Sequence, residues 1–152
     1  SYRDMLTGLY NRNRYIERLE AYKQVQDQQI GAIYTDLNGL KKVNDEQGHR
    51  AGDELIVRAA GTIAGIFAED AYRVGGDEFV VILLDVSRED FARKTEQLRR
   101  QMQKNGVDAS IGGVWQASTE NLENLLRRAD ENMYREKKRY YSQADAARKP
   151  ES

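Results

Sequence analysis

Ala71-Tyr72-Arg73-Val74-Gly75-Gly76-Asp77-Glu78-Phe79-Val80-Val81-Ile82-Leu83-Leu84 is the most informative stretch of this chain. Two short runs rich in β-branched and aromatic residues flank a Gly-Gly pair, which predicts strands over 71–74 and 79–84 joined as a hairpin. Working outward, residues 30–35 form another apolar run that reads as a buried strand ending at Asp36, and 107–115 alternates well enough for a fourth. Gly112-Gly113 in that last run predicts a bulge or a close approach of another backbone. Between the strands the apolar positions recur at helical spacing. That periodicity predicts helices over 11–27 and 91–104, the latter opened by the capping-box pair Ser87 and Asp90, and a final helix over 122–140. Leu40 to Asn44 suits a helical turn that Gly48 stops, and Leu55, Ile56, Ala59, Ala60 and Ile63 share one face of a further helix. Helices mixed with hairpin-linked strands define an α+β fold, a central mostly antiparallel sheet flanked by helices.

Bulk properties narrow the chemistry. The chain has 152 residues, the size of one domain, and 24 Lys and Arg against 25 Asp and Glu. Without a basic surplus, no DNA or RNA partner is expected, and any nucleotide must be held by a local site. There is no Cys, so thiolate metal ligands, disulfides and a Cys nucleophile are excluded. No run is long and apolar enough to cross a bilayer or to act as a signal peptide, so no membrane contact by this domain is expected. A cytoplasmic location is expected, in a full-length protein that could be membrane-tethered. The polar stretch 142–152 is expected to fray beyond a domain over 1–141.

Three acidic clusters are read at strand ends: Asp36, then Asp53, then Asp77-Glu78. If the strand ending at Asp36 lies beside the hairpin, Asp36, Asp77 and Glu78 converge, and hard oxygen ligands of this type suit Mg²⁺ or Mn²⁺. Gly75 and Gly76 clear side chains from a place where a ligand could meet the backbone, and Lys41 stands within reach of a phosphate. Each feature alone has an ordinary explanation, as solvated turn acids, a hairpin turn and a wet helix face.

In four ordered blocks the chain resembles the GGDEF domains of diguanylate cyclases: DMLTGLYNR (4–12), DLNGLKKVNDEQGHRAGD (36–53), RVGGDEF (73–79) and ADENMYREKK (129–138). The resemblance implies an architecture like that of nucleotidyl cyclases and polymerase palms, ferredoxin-like in topology. It implies GTP as substrate, Mg²⁺ or Mn²⁺ as cofactor, and a homodimer as the catalytic unit, with an upstream sensor domain outside this chain. By position, Asp36, the Leu37 carbonyl, Asp77 and Glu78 would serve the metal, with Asp77 assisting deprotonation. Asn44 and Asp53 would hold the guanine, Lys41 and Lys137 the triphosphate, and His49 would stand near the substrate. The competing reading is a degenerate domain that binds GTP or a protein partner without turnover.

The chain also departs from the family pattern. Asn38 and Gly39 stand where many members carry Asp and Phe, which predicts a looser, less acidic phosphate loop. Tyr141 replaces a phosphate-binding Arg, with Lys138 on the same helix side as a partial substitute. Ile66-Phe67-Ala68-Glu69 stands where many members carry an Arg-x-x-Asp product-binding site, which predicts loss of feedback there.

Overall fold

The computed structural model describes residues 1–148. Its four strands are β1 (Ile30–Leu37), β2 (Ala71–Arg73), β3 (Glu78–Leu84) and β4 (Ala109–Gln116). They form one sheet in the order β2-β3-β1-β4, every strand pair antiparallel. The helices are α1 (Arg12–Tyr22), α2 (Leu40–Gln47), α3 (His49–Phe67), α4 (Arg88–Lys104) and α5 (Leu122–Arg148). From β1 onward this is a β-α-β-β-α-β path with a doubled first crossover, the ferredoxin-like arrangement.

Alternation along the strands assigns the two faces. Ile33 and Leu37 of β1, with Phe79, Val81 and Leu83 of β3, pack against the apolar stripes of α3 and α4. Ile30 and Ala32, with Val80, Ile82 and Val114, pack against α1 and α5. Because the strand period is two, Asp36 falls on the α1/α5 face together with Ala32, and Glu78 falls there together with Val80. β1 is central and covered on both faces, which is why its sequence is a nearly continuous apolar run.

Several boundaries differ from the sequence expectation. Helix α1 stops at Tyr22 rather than 27, and Asp27 already has a left-handed φ of 56°. The hairpin is present as expected, with strand β2 ending at Arg73 and β3 starting at Glu78, and neither Gly75 nor Gly76 has a positive φ. Its loop is residues 74–77, closed by the Val74 N–H donating to the Glu78 carbonyl at 3.0 Å. At Gly112 the register continues unbroken opposite Tyr34, so the glycine marks a close approach and no bulge. Helix α5 runs on to Arg148, past the expected end at 140; residues 149–152 of the polar stretch lie outside the described residues.

The first residues brace the hairpin. The Asp4 carboxylate accepts from the Thr7 N–H at 2.9 Å, the Thr7 hydroxyl at 2.7 Å and the Arg73 guanidinium at 3.0 Å. Arg73 in turn donates to the Gly76 carbonyl at 2.8 Å, so Asp4 orders the loop that carries Asp77. Burial alone would raise the Asp4 carboxyl, but the bonds from Thr7 and Arg73 outweigh it and hold it below its ordinary 3.8. A depressed folded-state pKa means that this stabilisation is full above the ordinary value and is lost as pH falls through the folded value. Asp4→Ala is therefore expected to cost about 2 kcal/mol at pH 7, from charged hydrogen bonds left unmade. In urea unfolding the gap between wild type and variant should shrink at pH 3; an equal gap at both pH values would count against this role.

Candidate active site

Strand pairing brings the acidic residues together. Asp36 is in register with Glu78 on one side and Ser110 on the other, and the Leu37 N–H donates to the Asp77 carbonyl at 3.0 Å. The expected convergence of Asp36, Asp77 and Glu78 is thus present in the backbone geometry. Asp36 is nonetheless no exposed strand-end residue, since it lies inside β1 and is only 8% exposed. Burial pushes its carboxyl up to about 6, opposed by the Lys137 ammonium and reinforced by the neighbouring Asp77 charge.

Lys137 reaches this end of the sheet from α5. Ala129 and Met133 are buried, and the next position of the same i, i+4 stripe is Lys137. Its Nζ lies 2.9 Å from Asp36 Oδ1 and donates to the Leu37 carbonyl at 2.9 Å. The contact to Asp36 is an ion pair without directed hydrogen-bond geometry, and Oδ1 is a buried oxygen with no aligned donor. Asp36, Glu78, Asp130, Met133, Lys137 and Tyr141 share a cavity of about 780 Å³. Asp130 is the cavity-lining acid that the motif reading passes over; its place seven residues before Lys137, two helical turns, is the signal in the sequence.

No group of three or more His, Asp or Glu side chains among the described residues is arranged to cage a metal. Mg²⁺ does not need one, because it takes one or two carboxylates and leaves its other positions to water and phosphate. A buried carboxylate oxygen without a directed donor, a strand-end carbonyl beside it and Glu78 in register make a donor set of that kind.

The loop after β1 is pinned by Asn38 rather than loosened. Its amide donates to Asp108 Oδ1 at 2.9 Å and accepts from the Ser110 hydroxyl at 2.8 Å, while its N–H donates to the Asp108 carbonyl at 2.9 Å. Gly39 has a φ of 71°, and a Cβ there would come within 2.8 Å of the Tyr140 hydroxyl. Tyr140 from α5 therefore fills the space that a larger residue at position 39 would need.

Lys41 is exposed at the start of α2, and His49 and Asp53 are exposed in the first turns of α3, so Asp53 is a helix residue and not the strand-end acid expected from the sequence. Asn44 is half-buried on α2, and its Oδ1 has no hydrogen-bond partner. A Cβ on Gly52 would overlap the Asn44 amide, 2.8 Å from its Cγ, so the glycine beside Asp53 is what lets α2 and α3 hold Asn44 this close. Gly76 faces open space, as a backbone position approached by a ligand would. At the product-site stretch, Ile66 packs against the core and Glu69 pairs with Arg3 at 2.8 Å. Another cavity, about 690 Å³, lies between residues 23–27 and 118–123 at the opposite end of the sheet and contains no candidate residue.

The family model described as "Diguanylate cyclase, GGDEF domain" matches residues 1–143. The chain belongs to the GGDEF-domain family. Among curated relatives, it is 33% identical over 147 residues to diguanylate cyclase DgcS of Shewanella oneidensis, covering 88% of this chain and 49% of that one. It is 34% identical over 141 residues to the probable diguanylate cyclase DgcJ of Escherichia coli K12, covering 86% of this chain and 28% of that one. The chain thus spans about half, or less, of the length of these relatives. Among solved structures, the GGDEF domain of DgcB from Caulobacter crescentus, in complex with c-di-GMP, superposes with a TM-score of 0.79 at 26% identity, covering 91% of each chain. Diguanylate cyclase SiaD of Pseudomonas aeruginosa, in complex with its activator SiaC, gives a TM-score of 0.77 at 28% identity, covering 91% of this chain and 58% of that one. No helix among the described residues is long and apolar enough to cross a membrane.

Proposed function

We propose that this domain is a diguanylate cyclase that joins two GTP molecules into cyclic di-GMP and releases pyrophosphate. The observation that supports it most is the meeting of Asp36, the Leu37 carbonyl and Glu78 at one sheet end, with the unpartnered Asn44 oxygen on the adjoining helix. In each half-reaction the 3′-oxygen of one GTP bonds to the α-phosphorus of the other. The bond from that phosphorus to pyrophosphate breaks, and the hydroxyl proton passes to the Asp77 carboxylate.

Asp36, the Leu37 carbonyl, Asp77 and Glu78 would hold Mg²⁺ or Mn²⁺, which when bound supplies positive charge to the phosphate and the attacking oxygen. Asn44 and Asp53 hydrogen-bond the guanine edge as paired donor and acceptor groups, the Asp53 carboxylate accepting from the base N–H groups. Lys41 and Lys137 neutralise the triphosphate, Gly75 and Gly76 let it approach the backbone, and His49 stands beside the base-binding turn. Each domain holds one GTP, so two domains must face each other before either bond can form, and dimerisation is an orientation step. The greater length of the relatives supports a sensor segment accompanying this domain in a full-length cytoplasmic or membrane-tethered protein.

The test is incubation of the purified domain with Mg²⁺ and GTP or ATP, with the products identified by mass spectrometry over a range of protein concentrations. Cyclic di-GMP should form from GTP with a specific activity that rises as dimers form. ATP should react at least about 100-fold more slowly, because a site built to bond one base leaves buried polar groups unpaired with another. Comparable turnover of both nucleotides would remove the base assignment. Tight GTP binding with no product would replace the enzyme reading by that of a binding module.

A further inference from the structure

The two oxygens assigned to the divalent ion already share a cation. Lys137 Nζ lies 2.9 Å from Asp36 Oδ1 and 2.9 Å from the Leu37 carbonyl oxygen, and its side chain is only 16% exposed. The Tyr141 ring centroid lies 5.7 Å from Nζ. An ammonium in that place does electrostatically what a metal would do, bridging a buried carboxylate and a carbonyl dipole. The two cations cannot both occupy it, since like charges at this separation repel strongly in a partly buried site.

We propose that Lys137 is an exchangeable internal cation: it fills the metal position in the nucleotide-free domain and is displaced onto the triphosphate when metal and GTP bind together. This rests on the active-site reading above. The exchange needs no backbone movement. A four-carbon stem with freely rotating bonds carries the ammonium, and the cavity it borders also reaches Glu78 and Lys138. Free metal alone must compete with Lys137 and binds weakly, because its apparent affinity is reduced by the fraction of time the position is vacant. Metal arriving with GTP brings an anionic triphosphate that gives the displaced ammonium a new partner. The domain thereby favours metal-bound nucleotide over free metal, and Asp36 is never left as a buried charge without a counter-ion.

The test measures Mn²⁺ binding without nucleotide, by the electron paramagnetic resonance signal of the free ion. Lys137→Met keeps the stem and removes the ammonium, and should bind Mn²⁺ about tenfold more tightly than wild type. The same variant should bind a non-hydrolysable GTP analogue with Mg²⁺ more weakly, so the two affinities move in opposite directions. Lys138→Met removes an equal charge one residue along and should leave Mn²⁺ affinity within about twofold. In the wild-type protein, the Lys137 amine should react slowly with a methylating reagent and faster once Mn²⁺ is added, a readout that needs no variant to fold. Unchanged Mn²⁺ affinity in Lys137→Met, or an equal gain in Lys138→Met, would overturn the exchange. If Asp36→Asn abolishes Mn²⁺ binding while Lys137→Met has no effect, the exchange fails and the active-site reading stands. If wild type and Lys137→Met both fail to bind Mn²⁺ without nucleotide, the exchange fails, and the active-site reading is then decided by whether Mn²⁺ binds together with the GTP analogue.

Discussion

Asp36→Asn should lower cyclic di-GMP formation by on the order of 10³-fold or more while the domain still unfolds cooperatively, because a carboxylate that holds a divalent ion at the reacting phosphate is worth several kcal/mol there. The substitution conserves volume inside β1 and leaves the strand ladder to Glu78 and Ser110 in place. Lys137 keeps its hydrogen bond to the Leu37 carbonyl, so the ammonium is not abandoned in the interior. What disappears is the buried negative charge at the convergence of β1 and the hairpin. Asp77→Ala should have an effect of similar size for a complementary reason. Its backbone carbonyl, which accepts from Leu37 N–H, survives, while the carboxylate proposed to take the 3′-hydroxyl proton is lost. Product quantification by mass spectrometry, with urea unfolding alongside, measures both. Turnover above about a tenth of wild type in a folded variant would be too high for a metal ligand or base.

The second large effect is on stability. Gly112→Ala should destabilise the domain by about 3 kcal/mol or more, the upper range for forced overpacking. A Cβ on Gly112 would overlap the backbone of Met133 and Ala129 and lie 2.8 Å from the Asn132 carbonyl carbon. Backbone atoms of a helix cannot rotate aside as a side chain can, so α5 would have to lift from β4. Because α5 also delivers Lys137 and Asp130 to the site, the surviving folded fraction should lose activity as well. Thermal or urea denaturation measures the loss, and a shift below about 1 kcal/mol would mean that the helix has more freedom to move than this packing suggests. Gly113, whose Cβ would meet nothing nearer than the Phe91 ring at 3.3 Å and the Thr95 methyl group at 3.4 Å, should tolerate Ala much better.

Much of this was legible in one dimension because local patterns carry local physics. Alternation in 79–84 and the helical stripe of Leu55, Ile56, Ala59, Ala60 and Ile63 specify both the element and its buried face. The order of the motif blocks specifies the family. Chain ends and turns were less legible. The residues at 142–148 are polar, yet they continue α5 because a helix already anchored by Leu125, Ala129 and Met133 is extended at little cost. Gly75-Gly76 signals a hairpin without specifying its loop, which the Asp4–Arg73–Gly76 brace then fixes. Nothing near Arg73 in sequence announces a partner 69 residues away.

By itself the sequence determined the α+β class, the antiparallel hairpin, the family, and the residue types able to hold a divalent ion and a guanine base. These depend on periodicity and on the chemistry of side chains, which are present in the chain before it folds. Only the tertiary structure decided that Asp36 is buried, that Lys137 rather than solvent neutralises it, that Asn38 is a structural pin, and that Gly52 and Gly112 exist to admit a neighbour. Each depends on which distant segments share a strand register or a helix face, and desolvation and close contact arise only once those segments have met.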